Sequence, residues 1–538
     1  MKNNAYNAYD ELPYTQYVHH QTQPHHLATV ATLFGLHPPA LKQCRVLELG
    51  CASGMNTLAM ALAIPQGTFI GIDASAQQIK QGQQYLQQLG VTNLTLHALD
   101  ILDVNPNFGY FDYIIAHGVY SWVAPPVRDK ILQICRQHLH PHGIAYVSYN
   151  VYPGWHLNKM LREMMLYHTR RFHSVREKLD RSKMLLKFFT QTVKDKFDAY
   201  SLSLKKELEL LNHLDDHYLS HEYLEEYNEP VFFHEFIHHA QSHGLQYLAD
   251  SQLTFLAVGN FFVQEVEKLD IDLIEKEQYM DFLRNHPFRE TLLCHQEVEI
   301  RRNLDAEQVK KFRIAAPLKP ASPEWVNMPL EPQMIHNDGL ERFNNAAGEA
   351  VLSIASPLLK MVCLCLGEGW PASLAFDELM DKIKHLLLCI DQETTDQVMS
   401  SENIQEVKEL LLEFYLKNLV EFHLEPPPFT LEISDKPVAS PLARLQSQQG
   451  EQVTNLRYEI FSLNFITREI LKHLDGTHDS NALIAILQSH LQTGRLQWSK
   501  GEEQLALTEI DEPTLYDNLS KHVHDILKNL ALKAYLIA

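Results

Sequence analysis

The feature that most constrains this chain is a rhythm beginning at Cys44, in which short apolar runs alternate with helical spacings. The runs are CRVLELG (44–50), TFIGIDA (68–74), LTLHALDI (94–101), FDYIIAHG (111–118) and GIAYVSYN (143–150). They have the length and β-branched content of buried strands, and helical periodicity fills the stretches near 54–63, 76–89 and 126–139. Gly90 stands where the second of these helices should end. Strands joined through helices return to the same end of a sheet and pair in parallel. The segment therefore reads as a doubly wound α/β domain. In such a sheet a ligand sits beyond the carboxyl ends of the strands.

The first run ends in Glu48-Leu49-Gly50-Cys51-Ala52-Ser53-Gly54, with Asn56 just inside the next helix. Small residues at 50, 52 and 54 let a ligand approach the backbone. A dinucleotide fingerprint needs GxGxxG, but positions 50, 52 and 55 are Gly, Ala and Met, so a pyrophosphate is excluded. Asp73 ends the second strand, where a carboxylate can accept from both ribose hydroxyls of an adenosine. Asp100 ends the third, within reach of an adenine amino group. Each acid alone is weak evidence; their joint placement carries the inference. The candidate cofactor contacts are Glu48, Gly50, Ala52, Ser53, Gly54, Asn56, Asp73, Ala74, Asp100, Ile101 and His117.

With 538 residues the chain exceeds one ordinary core, and three or four domains are expected. The net charge is −21, and about −20 of it falls on residues 151–538. Such a surface repels a phosphate backbone, so nucleic acid is not an expected partner. It can steer a lysine-rich protein inward, or merely keep the chain soluble. No apolar run approaches the ~20 residues of a membrane span. The start, MKNNAYNAYDELPYTQY, has no basic region followed by an apolar stretch, so a cytoplasmic location is expected. Seven scattered cysteines without a CxxC pair argue against disulfides and a cysteine zinc site, and Cys363 and Cys365 lie in an apolar run suited to packing.

At this point the residues resemble class I methyltransferases, and within them the rickettsial-type bacterial protein lysine methyltransferases that carry a methyltransferase regulatory domain. The stretches that carry the resemblance are YDELPYTQYVHHQTQPHHLATVATLFGL (9–36), DYIIAHGVYSWV (112–123), VSYNVYPGWH (147–156) and NEPVFFHEFIHHAQSHGLQYLAD (228–250). SPLARLQSQQGEQVTNLRYE (440–459) and LKHLDGTHDS (471–480) look like the family's C-terminal region. The resemblance implies S-adenosylmethionine as cofactor, a protein lysine as acceptor, accessory domains after the core and a homodimer. It departs at Ala52, where the family's loop usually has glycine or another small residue; alanine fits if its φ is negative.

Methyl transfer is an in-line displacement, so positioning and desolvation dominate. A free lysine has a pKa near ~10.4, and a water-poor aromatic channel would favour its neutral amine. Beyond the fourth and fifth strands stand Tyr120, Trp122, Tyr149, Asn150 and Trp155, the candidate acceptor-channel residues, with Pro153-Gly154 forcing a turn. Any of these aromatics can equally be core. The loop after the fourth strand lacks the Asn/Asp-Pro-Pro-Tyr arrangement that grips planar amides, which counts against a base or glutamine acceptor. Two other readings remain open: a small-molecule methyltransferase, and a non-catalytic protein that senses the cofactor. His234-Glu235-Phe236-Ile237-His238 fits the zinc motif HExxH, but thirty histidines make chance pairs common, and no metal site is expected.

The expected organisation is a lid or strap over residues 1–43, with Tyr14 and Tyr17, and a cofactor-binding core over 44–155. A helical insertion and regulatory region over 156–302 includes candidate sixth and seventh strands at 246–250 and 291–300. A proline-rich linker (303–345), a winged-helix-like middle domain (346–435) and a helical C-terminal domain (436–538) follow. The acidic winged-helix-like modules lack a basic recognition face, which favours protein contacts or plain buttressing.

Overall fold

Each of the five apolar runs becomes a strand in the computed structural model, which describes residues 17–213, 216–225, 227–256, 261–322, 339–345, 347–500, 503–505 and 511–537. Helix α1 (Pro24–Leu33) precedes β1 (Arg45–Leu49), α2 (Met55–Ala63), β2 (Thr68–Asp73), α3 (Ala76–Leu89), β3 (Leu94–Ala98), β4 (Phe111–Ala116), α4 (Pro125–His138) and β5 (Leu139–Asn150). The first four strands stop one to three residues short of the expected ends, because those residues turn into the ligand-facing loops. Ser75 caps α3 by accepting from the Gln78 N–H, and Gly90 closes it at φ +65°.

The insertion forms α5 (Trp155–Thr169), α6 (Val175–Val193), α7 (Ala199–Asn212) and α8 (Asp216–Leu224), which bury their own cluster around Leu161, Met165, Leu179, Leu204 and Leu208. The chain then returns through α9 (Phe233–Ser242), β6 (Leu245–Asp250), α10 (Phe261–Glu267), α11 (Leu273–Arg284) and β7 (Phe288–His295). The seven strands run in the order β3-β2-β1-β4-β5-β7-β6, with β7 antiparallel to both neighbours. The expected seventh strand (291–300) is corrected: it begins at Phe288, and Glu297 beyond it forms a bidentate pair with Arg136. The order reverses between β1 and β4, which opens a crevice at their carboxyl ends.

Residues 1–304 and 305–538 form two compact units. In the second, β8 (Arg313–Ala315) is the central strand of a three-stranded sheet, paired with β9 (Leu374–Ala375) and β10 (Glu421–His423). The linker reading of 303–345 is thus corrected for residues 305–322. Phe312, Ile314, Ala316 and Leu318 are buried at alternate positions, an apolar pattern that the surrounding prolines and charges obscure; residues 323–338 lie outside the described part. The C-terminal portion packs helices Pro441–Gln449, Phe465–Lys472, Ser480–Gln492 and Glu512–Leu532 over a core that includes Val453, Ile470, Leu487 and Leu527, and it also carries two short hairpins. No helix among the described residues is long and apolar enough to cross a membrane. Six cysteines are buried as free thiols, and Cys389 is exposed.

A buried charge cluster fastens β6 and β7 to α11. Arg289 is fully buried, with Glu277 Oε2 at 2.9 Å, Asp281 Oδ1 at 2.9 Å and Asp250 also bonded, and its guanidinium lies 4.1 Å from the Phe233 ring centroid. Three acids face one cation, and burial pushes the Asp250 carboxyl up to about 7. The folded chain therefore holds a proton that the unfolded chain, with this group at 3.8, has released. That contribution to stability is complete below the unfolded value and is lost as pH rises through the folded one. The urea midpoint is expected to fall between pH ~4 and ~7, with Asp250→Asn flattening the slope. Arg289→Gln, which strands the acids, is expected to cost about 3–5 kcal/mol in the same titration.

Candidate cofactor pocket and acceptor edge

Leaving β1, the chain turns through three left-handed residues: Gly50 (φ +70°), Ala52 (φ +52°) and Gly54 (φ +75°). The N–H groups of Gly50 and Cys51 both donate to the Ile72 carbonyl, at 2.9 and 3.0 Å. Asp73 Oδ2 accepts from the Ala52 N–H and Oδ1 from the Ser75 N–H, each at 2.8 Å. One carboxylate thereby holds the tips of β1 and β2 in fixed relation. Space is tight on both sides of the loop. A Cβ on Gly50 would lie 2.6 Å from Val119 Cγ2, and one on Gly82 of α3 would lie 2.1 Å from the Ser53 carbonyl oxygen. The Ser53 hydroxyl is buried and has no hydrogen-bond partner among the described residues. A cradle of backbone with an unanswered hydroxyl fits a bound nucleoside.

The condition of a negative φ at Ala52 is corrected by the observed value. The bond to Asp73 holds this residue in the left-handed region, where a Cβ costs about 1 kcal/mol. Glu48 is buried, with Oε1 accepting from Asn56 Nδ2 at 2.8 Å and Oε2 from the Thr57 hydroxyl, while burial raises its carboxyl and these bonds oppose that. Asn56 Oδ1 accepts in turn from the His19 N–H (3.0 Å) and Gln23 Nε2 (3.1 Å). Both residues brace the loop and the N-terminal segment through these bonds. The others stand at the strand ends: Ala74 and Asp100 are exposed, Asp73 is half-buried, and Ile101 is buried. Asp100 Oδ1 also caps the turn at Ile101–Asp103 by accepting from the Leu102 N–H.

His117, after β4, opens a polar cluster whose other members went unforeseen. Its Nδ1 meets the Tyr146 hydroxyl at 2.9 Å, and its ring lies 3.9 Å from that of His19. The Tyr146 hydroxyl donates to Glu290 Oε1 (3.1 Å), which also accepts from Gln21 Nε2 (2.8 Å), while Oε2 accepts from Gln252 Nε2 (3.1 Å). Burial lowers His19 to about 4, lowers His117 well below its usual range, and raises the Glu290 carboxyl. Both imidazoles are therefore neutral near pH 7. Ser148 pairs with Glu290 across β5 and β7, and its hydroxyl accepts from the Gly118 N–H. The alternation of Tyr146, Ser148 and Asn150 was visible in GIAYVSYN, but their partner was not, because the expected seventh strand began one residue after Glu290.

Of the five expected channel residues, the structure brings the rings of Tyr120 and Tyr149 together, with centroids 5.8 Å apart. Adjacent residues on a strand point to opposite faces. Tyr149 is fully buried, stacked on Phe236 at 4.0 Å with its hydroxyl 2.9 Å from Thr291 Oγ1. Tyr120 is buried beside them, 2.8 Å from His239 Nδ1. Trp155 is buried at the start of α5 near Tyr223, and Asn150 donates through Nδ2 to Asn228 Oδ1 at 3.1 Å. Core packing accounts for all four, while Trp122 stays half-buried in the turn Tyr120–Trp122. The HExxH residues serve the fold: His234 Nδ1 meets Gln278 Oε1 at 2.9 Å, and Glu235 accepts from the Phe232 N–H to cap α9. Tyr14 falls outside the described residues. Ala52→Gly is expected to stabilise the chain by up to about 1 kcal/mol, read as a higher urea midpoint at unchanged m.

Comparisons with known proteins agree with this geometry. Residues 40–211 match the family described as methyltransferase domain, 215–295 the predicted methyltransferase regulatory domain, and 435–535 the PKMT C-terminal winged helix domain. Protein RP789 of Rickettsia prowazekii is 36% identical over 506 residues, 93% of this chain and 89% of that one. The structure of PKMT2 from Rickettsia typhi superposes with a TM-score of 0.84 at 29% identity, covering 98% of this chain and all of that one. PKMT2 in complex with AdoHcy superposes with a TM-score of 0.83 over the same shares. The chain belongs to this rickettsial-type family of class I methyltransferases with a regulatory domain, and S-adenosylmethionine is its cofactor.

Proposed function

We propose that the chain methylates lysine side chains of a protein substrate. The observation that carries this is the similarity to PKMT2 through the regulatory and winged-helix segments as well as the core. Gly50, Ser53, Asp73, Ala74, Asp100 and Ile101 hold the cofactor, which supplies an electrophilic methyl group on a sulfonium. His19 and His117, kept neutral by burial, place no positive charge on the neighbouring edge. Glu290 receives the ammonium proton of the entering lysine, since its raised carboxyl has more proton affinity than an exposed one. Tyr146 and Gln21 orient that carboxylate. The acidic surface of residues 151–538 favours the approach of a basic protein. The same reading takes the chain to act in the cytoplasm as a homodimer, which light scattering of the purified protein checks.

Incubating the chain with isotopically labelled cofactor and a bacterial lysate, followed by mass spectrometry, tests the acceptor. Label on protein lysines is expected, whereas label confined to small molecules, or no transfer despite binding, overturns the reading. Glu290→Gln is expected to slow transfer about 10²-fold with cofactor affinity nearly unchanged. Asp73→Asn is expected to weaken cofactor binding about 10- to 100-fold by calorimetry.

A further inference from the structure

Outside the cofactor edge, three ionisable side chains from two helices meet at one point. His239 stands in the last turn of α9 and His243 is the residue that caps its C-terminus, a spacing of four at which two imidazoles can share an ion. Asp129 of α4 faces them. Its Oδ1 lies 2.9 Å from His243 Nε2 and 3.4 Å from His239 Nε2, and the three ligand atoms fall within 4.8 Å of one another. Tetrahedral coordination with bonds of ~2.0–2.1 Å sets ligand atoms roughly 3.3–3.4 Å apart, so small adjustments of the exposed Asp129 carboxylate and the half-buried imidazoles suffice. The other ring nitrogen of His239 is also engaged, since Nδ1 lies 2.8 Å from the Tyr120 hydroxyl. If that nitrogen carries the proton and donates to the phenol oxygen, the Nε2 lone pair faces Asp129. This is the outer partner that ligating histidines usually have. The Asp129 side chain is 61% exposed and that of His243 18%, which leaves an entry path and room for a water as fourth ligand.

We propose that Asp129, His239 and His243 form a binding site for a divalent transition-metal ion, with zinc the best match to two imidazoles and one carboxylate. The site lies on the same helix as the HExxH motif but uses neither of that motif's histidines. It joins α4, within the methyltransferase-domain match, to α9, within the regulatory-domain match. Ion binding there would clamp the regulatory segment to the core at a point one hydrogen bond from the loop that follows β4.

The test uses the untagged full chain, stripped with chelator and titrated with zinc by calorimetry, with cobalt absorption as a second probe. One equivalent is expected to bind, and the urea midpoint should rise with zinc. Asp129→Asn and His243→Ala should each weaken binding at least tenfold, and Tyr120→Phe about tenfold through the lost outer partner. His238→Ala should leave binding unchanged. Asp129→Asn is a surface change, so it remains informative even where a histidine variant does not fold. Failure of the full chain to bind one equivalent overturns the proposal, as does binding that survives Asp129→Asn or depends on His238.

Discussion

The cofactor end of this molecule depends on one carboxylate. Asp73 takes the backbone N–H of Ala52 with one oxygen and that of Ser75 with the other, so the loops leaving β1 and β2 cannot move independently. Close packing reinforces the tie: α3 meets the Ser53 carbonyl where Gly82 offers no Cβ, and Val119 fills the space beside Gly50. A loop held this firmly accommodates a left-handed alanine, because the bonds at its two ends outweigh the local strain. It also leaves the Ser53 hydroxyl buried without a hydrogen-bond partner among the described residues.

The neighbouring edge uses desolvation instead of hydrogen-bonded strain. His19 arrives from the N-terminal segment, His117 from the loop after β4, Tyr146 from β5 and Glu290 from β7, so four separate parts of the chain build one cluster. Burial strips two imidazoles of charge and raises one carboxyl, shifts that keep positive charge off the edge of a site that takes a sulfonium cofactor.

The parallel half of the sheet was legible because its strands are apolar throughout and end in diagnostic residues: Gly50, Asp73 and Asp100 stand where sequence spacing placed them. What failed was information that only pairing supplies. Tyr149 and Asn150 are neighbours in sequence, yet strand alternation sends them to opposite faces, so Tyr149 stacks on Phe236 while Asn150 reaches Asn228. Glu290 escaped notice because the start of β7 is set by its register against β5, and no local signal marks it. The strand at Arg313–Ala315 hid among prolines and charges, although its buried residues alternate. The backbone angle of Ala52 follows from a bond to a residue 21 positions away, beyond the reach of local preference.

The position of β7 has an implication for how the protein is made. The match to the methyltransferase domain ends at residue 211, but the sheet gains β6 and β7 only within residues 245–295, and β7 slots between β5 and β6. While a ribosome is still elongating through the insertion, β5 has one flank of backbone amides and carbonyls without a partner. The nascent core is thus an open-edged intermediate, prone to sticking to other chains, until the regulatory segment emerges and seals it. For this architecture, excising the regulator would not liberate a smaller enzyme; it would leave an unfinished one.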